Sequence, residues 1–366
     1  FLADNRTHTT AEKSEIKNCP DKIVFEFNSE RDRYLARDEV MMMDIVANND
    51  WKRGIYFSSS RGSSFSIALL SSGYVKQVGM AYELSPVRQE PTFYNLDKMY
   101  KNLTKTYHYG KMNAKGILTD YYARRHTIQY RVNFLLLAEQ YLNIGNKQRA
   151  IELLDFSLAK MPMENVIDVG EVNGFDRMSS LTINAPHQSF EFEGKEIPPM
   201  CSGTLHEYVQ LYYLAGDKTK AEKLGLKLMN NYESIISYFA HTNARIAAKE
   251  DNIEDLFATL DACFKIKSTV DKSGPLALRL NQVINSIYKK IIPKLMNELE
   301  QLASDNNESA MGESGLYVRL NNNLAILSTA IGEHYGYLPK KKAALKTPAI
   351  NDIKGVSNIP MDTNKK

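Results

Sequence analysis

The hydrophobic period of the chain changes near residue 95, and that change divides it in two. Upstream, Ile23, Phe25 and Phe27 alternate with polar residues, the two-residue period of a half-buried strand. Asp38 is placed to cap a helix carrying Val40, Met41, Met43, Ile45 and Val46. Gly54-Ile55-Tyr56-Phe57 is short, β-branched and aromatic, which predicts a buried strand. A serine-rich loop from Ser58 to Ser64 leads into a short helix at 65–70, and 78–84 reads as another strand, closed by Pro86. Strands alternating with helices over 22–94 predict a small α/β module. Residues 1–21 are polar, lack an apolar period and read as a linker.

From residue 95 onward the period is helical. Helices are expected at 97–107, 119–143, 147–160, 203–215, 218–231, 233–248, 252–268, 276–303 and 316–334. Pro293 should kink or split the helix at 276–303. The stretch 163–200 breaks the rhythm with Gly170, Gly174, Pro186 and Pro198, and its Phe190-Glu191-Phe192-Glu193 run predicts a hairpin inside an irregular insertion. The lysine-rich end, 339–366, reads as a tail. The fold class expected is α+β overall, with the α/β module at 22–94 followed by a mainly α array over 95–338.

Two helix pairs in that array share a spacing. In the first, Ala138, Tyr141, Gly145, Ala150, Leu154 and Pro162 fall at tetratricopeptide-like intervals. In the second, Tyr212, Gly216 and Ala221 recur with the same offsets, while Gly225 takes the later apolar position. The physical need is for small residues where antiparallel helices touch, an aromatic to fill the gap, and glycine at the turn. The array is therefore read as tetratricopeptide-like.

Charge and motifs narrow the chemistry. Among 366 residues, 46 Lys and Arg face 43 Asp and Glu, a net charge of +3 that lacks the basic face nucleic acid requires. No apolar run approaches the ~18–20 residues of a membrane span. Cys19, Cys201 and Cys263 form neither a metal spacing nor a disulfide framework, and the seven histidines form no metal spacing. No nucleophile elbow, phosphate-binding glycine loop or dinucleotide fingerprint is present. No catalytic residue, metal or cofactor is therefore expected in this chain. The best local candidate is the loop Ser59, Ser60, Arg61, Gly62 and Ser63, which follows a strand and opens a helix. Free backbone N–H groups and Arg61 would hold an anion there; an ordinary serine-rich turn is the plainer alternative. A surface for an acceptor or partner protein, on the concave side of stacked hairpins, is expected to draw on Tyr122, Arg125, Gln129, Tyr208 and Tyr212. Tyr212 also occupies a repeat packing position.

One longer run carries more. Asp38 through Phe57, with Asp44-Ile45-Val46-Ala47-Asn48-Asn49 and then Trp51-Lys52-Arg53-Gly54-Ile55-Tyr56-Phe57, resembles a segment of the bacterial protein O-mannosyltransferase-like family of large membrane proteins. Gly79-Met80-Ala81-Tyr82-Glu83-Leu84-Ser85-Pro86, Asp97 through Gly110, and the hairpin from Leu137 to Pro162 follow the same order. Gly54 stands where the family pattern has proline, and Glu83 where it has arginine. The resemblance implies a multi-span enzyme that moves a sugar from a polyprenyl-phosphate donor to protein hydroxyls. Its catalytic residues would lie in a membrane-embedded half upstream of Phe1. This chain, which begins with phenylalanine, would be the non-catalytic soluble part, tethered at the periplasmic face of the inner membrane. Its partners would be that membrane half and acceptor proteins. A stand-alone helical-repeat scaffold and a hydrolase built on scattered carboxylates are the competing expectations.

Overall fold

The computed structural model describes residues 36–49, 53–58, 64–88, 94–117, 119–166, 190–192, 195–197, 204–243, 250–304 and 320–321. The strand expected at Ile23–Phe27, Trp51, Lys52, most of the 316–334 helix and the loop Ser59–Ser63 lie outside them. Contacts divide the chain into two compact units, Phe1–Lys294 and Leu295–Lys366. The first contains every site discussed below.

The N-terminal elements begin with α1, Arg37–Asn48. Its cap is Ala36, whose backbone N–H donates to the Glu39 carboxylate at 3.0 Å; Asp38, expected as the cap, lies inside the first turn. Then come β1 (Tyr56–Phe57), α2 (Ser64–Ser71), β2 (Val75–Gln77) and β3 (Tyr82–Leu84). The sheet order is β1-β3-β2, with β3 antiparallel to both neighbours. Strands β1 and β2 thus run parallel, joined by α2, and β3 is inserted between them. Of the expected strand over 78–84 only Tyr82–Leu84 is strand, because Gly79 at φ +123° turns the chain between β2 and β3. Phe65, Leu69, Tyr74, Val75, Tyr82 and Leu84 form the core beneath the sheet, and Met42, Met43 and Val46 of α1 pack onto it. The segment at 54–57 is not the buried strand expected: β1 is an edge, and Tyr56 is exposed on its outer face.

Next come α3 (Leu96–Lys101), continued by a π-helical turn over Asn102–Thr106, and then α4 (Tyr121–Asn143) and α5 (Lys147–Lys160). Asn102 donates its side-chain amide to the Val78 carbonyl (2.7 Å), and the Met80 N–H donates to the Tyr107 hydroxyl (3.1 Å). The Gln77 amide donates to Asn133 Oδ1 on α4 at 2.9 Å. These bonds tie the β2–β3 turn to the helices that follow it. After α6 (Met163–Val166), the insertion contains an antiparallel pair, β4 (Phe190–Phe192) and β5 (Lys195–Ile197), where a hairpin was expected. The chain resumes with α7 (Leu205–Ala215), α8 (Lys218–His241), α9 (Glu250–Thr269) and α10 (Pro275–Ser286).

The helices expected at 218–231 and 233–248 run together as one α8 that ends at His241, and residues 244–248 lie outside the described residues. The intervening Tyr232-Glu233 offers neither a breaker nor a cap, so nothing interrupts the hydrogen-bond ladder. The helix expected at 276–303 does divide: α10 passes through a π-helical turn, Ile287–Ile291, into α11, Ile292–Ser304. Pro293 has no N–H to donate, and the wider turn just before it re-registers the ladder.

Among the described residues the array contains three helical hairpins, α4/α5, α7/α8 and α9/α10, in which each packs on the next through α5 and α4 with α7, α7 with α9, and α8 with α10. Three hairpins meet the minimum that stacking needs to bury a continuous core. Helix α7 is central, and every residue from Leu205 to Tyr212 is buried. Ala138 and Ala150, on the facing helices α4 and α5, are fully buried, as is Ala221 on α8. Gly225 on α8 has a direct reason: a Cβ there would stand 2.6 Å from Leu276 Cδ2 on α10. Alanine at 225 should gain about 1 kcal/mol of helix propensity yet lose about 1–3 kcal/mol to overpacking, a net destabilisation. Urea denaturation should show that loss, and Leu276→Ala introduced beside it should remove the clash component.

Candidate functional site

The first two hairpins turn in the same way. Gly145 and Gly216 adopt φ +78° and +95°, and the following residues, Asn146 and Asp217, share φ −87° and ψ 69°. Asn146 N–H donates to the Tyr141 carbonyl at 2.7 Å, and Asp217 N–H to the Tyr212 carbonyl at 2.9 Å. Their side chains then cap the next helix, accepting from the Arg149 and Lys220 N–H groups at 3.1 and 3.0 Å. The shared turn places a basic side chain eight residues after the tyrosine in both hairpins.

Those basic side chains stitch neighbouring elements together. Arg149 lies over the rings of Tyr100 on α3 and Tyr141 on α4, 4.9 and 5.4 Å from their centroids. It donates to the Tyr141 hydroxyl at 3.2 Å and approaches Asp97 at 3.9 Å. The Lys220 ammonium, 5.9 Å from the Tyr212 ring, reaches back to Asp155 on α5 at 2.9 Å and also contacts Asp217 at 3.0 Å. Tyr212 donates its hydroxyl to the other Asp155 oxygen at 2.8 Å. Burial, reinforced by that carboxylate, raises the Tyr212 phenol far above its ordinary value. Lys218, 5.0 Å from the Tyr213 ring, reaches forward to Asp271 at 2.8 Å, between α9 and α10. Tyrosine, cation and aspartate therefore join α3 to the first hairpin, the first hairpin to the second, and the second to the third.

The ion pairs at these junctions are solvent-facing, and each contributes little stability. Asp155 is the exception in role, since it serves a buried hydroxyl as well as a cation. Asp155→Ala should cost about 1–2 kcal/mol, mostly through the orphaned Tyr212 hydroxyl. Double-mutant cycles in urea should give a larger coupling for Asp155 with Tyr212 than for Asp155 with Lys220, which stays below about 1 kcal/mol.

Of the residues expected to form a binding surface, Gln129 is exposed, whereas the side chains of Tyr122 and Arg125 lie outside the described residues. Tyr208 and Tyr212 are not surface. Tyr208 is fully buried and shares a 2.6 Å hydrogen bond with Ser157, and burial pushes its phenol up to about 12. Tyr212 is buried except for the edge its hydroxyl reaches. Both belong to α7, which neighbours enclose on all sides. Arg53 is exposed, and Pro162 is half-buried just after α5. The junction residues Asp97, Arg149, Asp155, Lys218, Lys220 and Asp271 were not singled out from sequence, although the basic residue eight positions after Tyr141 and Tyr212 was a readable signal.

Glu83 sits mid-strand with Tyr56 and Lys76 as cross-strand neighbours. It accepts from the Tyr56 hydroxyl at 3.0 Å and from Lys98 at 2.9 and 3.1 Å. Its carboxylate is thus paired with a lysine on α3.

Residues 3–103 match the family model for TMEM260-associated domain 2. The match links this part of the chain to the TMEM260 family, which relates to protein O-mannosyltransferase-like proteins. No curated protein and no solved structure matches the chain. The TMEM260-associated segment covers α1 through α3, and it ends where Tyr100 and Asp97 meet Arg149 and Tyr141. Among the described residues, no helix is long and apolar enough to cross a membrane, and no group of three or more His, Cys, Asp or Glu is placed to hold a metal.

Proposed function

We propose that this chain is a non-catalytic, extracytoplasmic domain of a multi-span membrane protein of the O-mannosyltransferase type, and that its hairpin array binds acceptor protein or a partner. The observation that carries the reading is the stack of three hairpins linked by tyrosine–cation–aspartate junctions and joined at Tyr100 to the segment that matches TMEM260-associated domain 2. Stacked hairpins hold extended segments of other proteins along surfaces of this kind. Sugar transfer would belong to a membrane-embedded half at the periplasmic face of the inner membrane, and no cofactor is assigned to this chain.

The test is an assay of the chain with a polyprenyl-linked mannose donor and candidate periplasmic acceptors. Acceptor binding without turnover, weakened by charge reversal at Arg149 and Lys220, is the expected result. Turnover by the chain alone, or acceptor binding indifferent to those changes, would overturn it. A second reading, a helical scaffold unrelated to sugar transfer, draws on the fact that the family match stops at residue 103 while the hairpins lie beyond it. The genomic sequence upstream of Phe1 separates the two: multiple membrane spans favour the first, a plain signal peptide the second.

A further inference from the structure

The positive charge of this chain is not evenly spread. The stretch 99–119 holds four lysines, Lys101, Lys105, Lys111 and Lys115, and no Asp or Glu, whereas the whole chain carries a net charge of only +3. All four are exposed, and among the described residues none has an ion-pair partner, unlike Lys98, Lys218 and Lys220. The carboxylates that bound the stretch are already engaged: Asp97 faces Arg149, and Asp120 caps α4.

Hydrogen bonds hold these lysines on one short, fixed piece of chain. Lys101 closes α3, and Lys105 lies four residues on in the π-helical turn, so both leave the same side of the helix. The Tyr107 N–H donates to the Asn102 carbonyl at 2.8 Å and the Tyr109 hydroxyl to the Leu103 carbonyl at 2.6 Å, which folds the chain back against that turn. Two further turns carry Lys111 and Lys115, closed by Ala114 N–H to the Lys111 carbonyl (2.9 Å) and Ile117 N–H to the Ala114 carbonyl (3.4 Å). Asn165 of α6 donates to the Met112 and Ala114 carbonyls, each at 2.9 Å, and so pins these turns to the body of the domain. Ile117, 37% exposed, belongs to the same turns as Lys115.

The residue types say what such a surface takes. Lysine is a point charge on a flexible stem, and 99–119 contains no arginine to grip a single anion bidentately. Four lysines of this kind suit charge that is itself spread out, as on the headgroups of an anionic bilayer, and Ile117 adds an apolar side chain that the headgroup layer can take up. We infer that the lysine-bearing surface of 99–119 rests on an anionic lipid bilayer. Only the nearness of a bilayer rests on the reading of this chain as a domain of a membrane protein; vesicle binding by the chain is decided whatever lies upstream of Phe1.

The probe is a vesicle of phosphatidylglycerol and phosphatidylcholine, with pure phosphatidylcholine as its counterpart, sedimented with the 366-residue chain. The chain should bind the mixed vesicles, leave the neutral ones, and be released as salt is raised. Lys101→Gln/Lys105→Gln and Lys111→Gln/Lys115→Gln should each weaken binding about thirtyfold, about fivefold per lysine, with circular dichroism unchanged. Ile117→Ser should weaken binding to the vesicles and leave binding to poly-glutamate unchanged. Absence of vesicle binding, equal binding to neutral vesicles, or a lysine pair whose loss changes nothing would overturn the proposal. So would tighter binding of poly-glutamate or duplex DNA than of the mixed vesicles, which would assign the surface to a soluble polyanion.

Discussion

Arg131→Ala is expected to destabilise the chain by about 3–4 kcal/mol, while Arg131→Met costs about 1 kcal/mol or less. Arg131 lies on α4, is among the largest fully buried side chains, and donates through Nη2 to the Met161 carbonyl at 3.1 Å. That carbonyl closes α5, so the guanidinium acts as a cation at a helix C-terminus. Its Nε has no hydrogen-bond partner, and burial holds its pKa below the usual arginine value, only partly opposed by Tyr208. A buried charge with one carbonyl for a partner is poorly compensated, so removing the charge is cheap if the volume is kept. Removing the volume as well leaves a cavity and an orphaned carbonyl. Chemical denaturation of the two variants checks the ordering. Equal losses would show that the hydrogen bond to Met161, rather than packing, is what Arg131 supplies.

The second large effect is on acid stability. His206 is buried beside Thr204, whose hydroxyl lies 2.9 Å from Nδ1 and 3.3 Å from Nε2. Burial first, and then the charge of Lys265, hold the imidazole well below its ordinary 6.5. In the unfolded chain it protonates at the ordinary value, so below pH 6.5 the unfolded state binds the extra proton. Stability is therefore unaffected by this group above about pH 6.5 and falls as pH drops, by up to about 1.4 kcal/mol per unit. His206→Gln should flatten the profile below about pH 6.5, removing a slope of at most about 1.4 kcal/mol per pH unit. Denaturation midpoints measured across that range decide it. A variant that keeps the parental slope would place the acid sensitivity elsewhere.

Local signals in the sequence were reliable where a turn punctuated the period. Gly145-Asn146 and Gly216-Asp217 each combine a left-handed residue with a capping side chain, and the helices that follow begin where those signals place them. The phenylalanine–glutamate alternation located the β4–β5 pair for the same kind of reason. Signals failed where the deciding partner was distant in the chain. Nothing near Tyr208 announces that α5, α8 and α9 will enclose α7, so an aromatic on a helix was read as surface. The period likewise could not show that Asp155 would serve Tyr212 and Lys220, 57 and 65 residues away. The shortening of the strand expected at 78–84 to Tyr82–Leu84 turned on one torsion at Gly79, which a short apolar run does not encode.

The insertion between α5 and α7 has a consequence for the order of folding. Within each hairpin the helices are neighbours in sequence and can form early, whereas the junction of the first two hairpins must wait until residues 161–204 close as a loop. Closure of such a loop grows only slowly harder with length, about 0.6 kcal/mol per doubling, so the insertion can vary in length with little effect on equilibrium stability. It delays the junction instead. Contacts across it, Ser157 with Tyr208 and Asp155 with Tyr212 and Lys220, belong late on the folding path. Substitutions there should speed unfolding and leave the refolding rate nearly unchanged, so the joint between the first and second hairpins sets how long the array, once assembled, stays together.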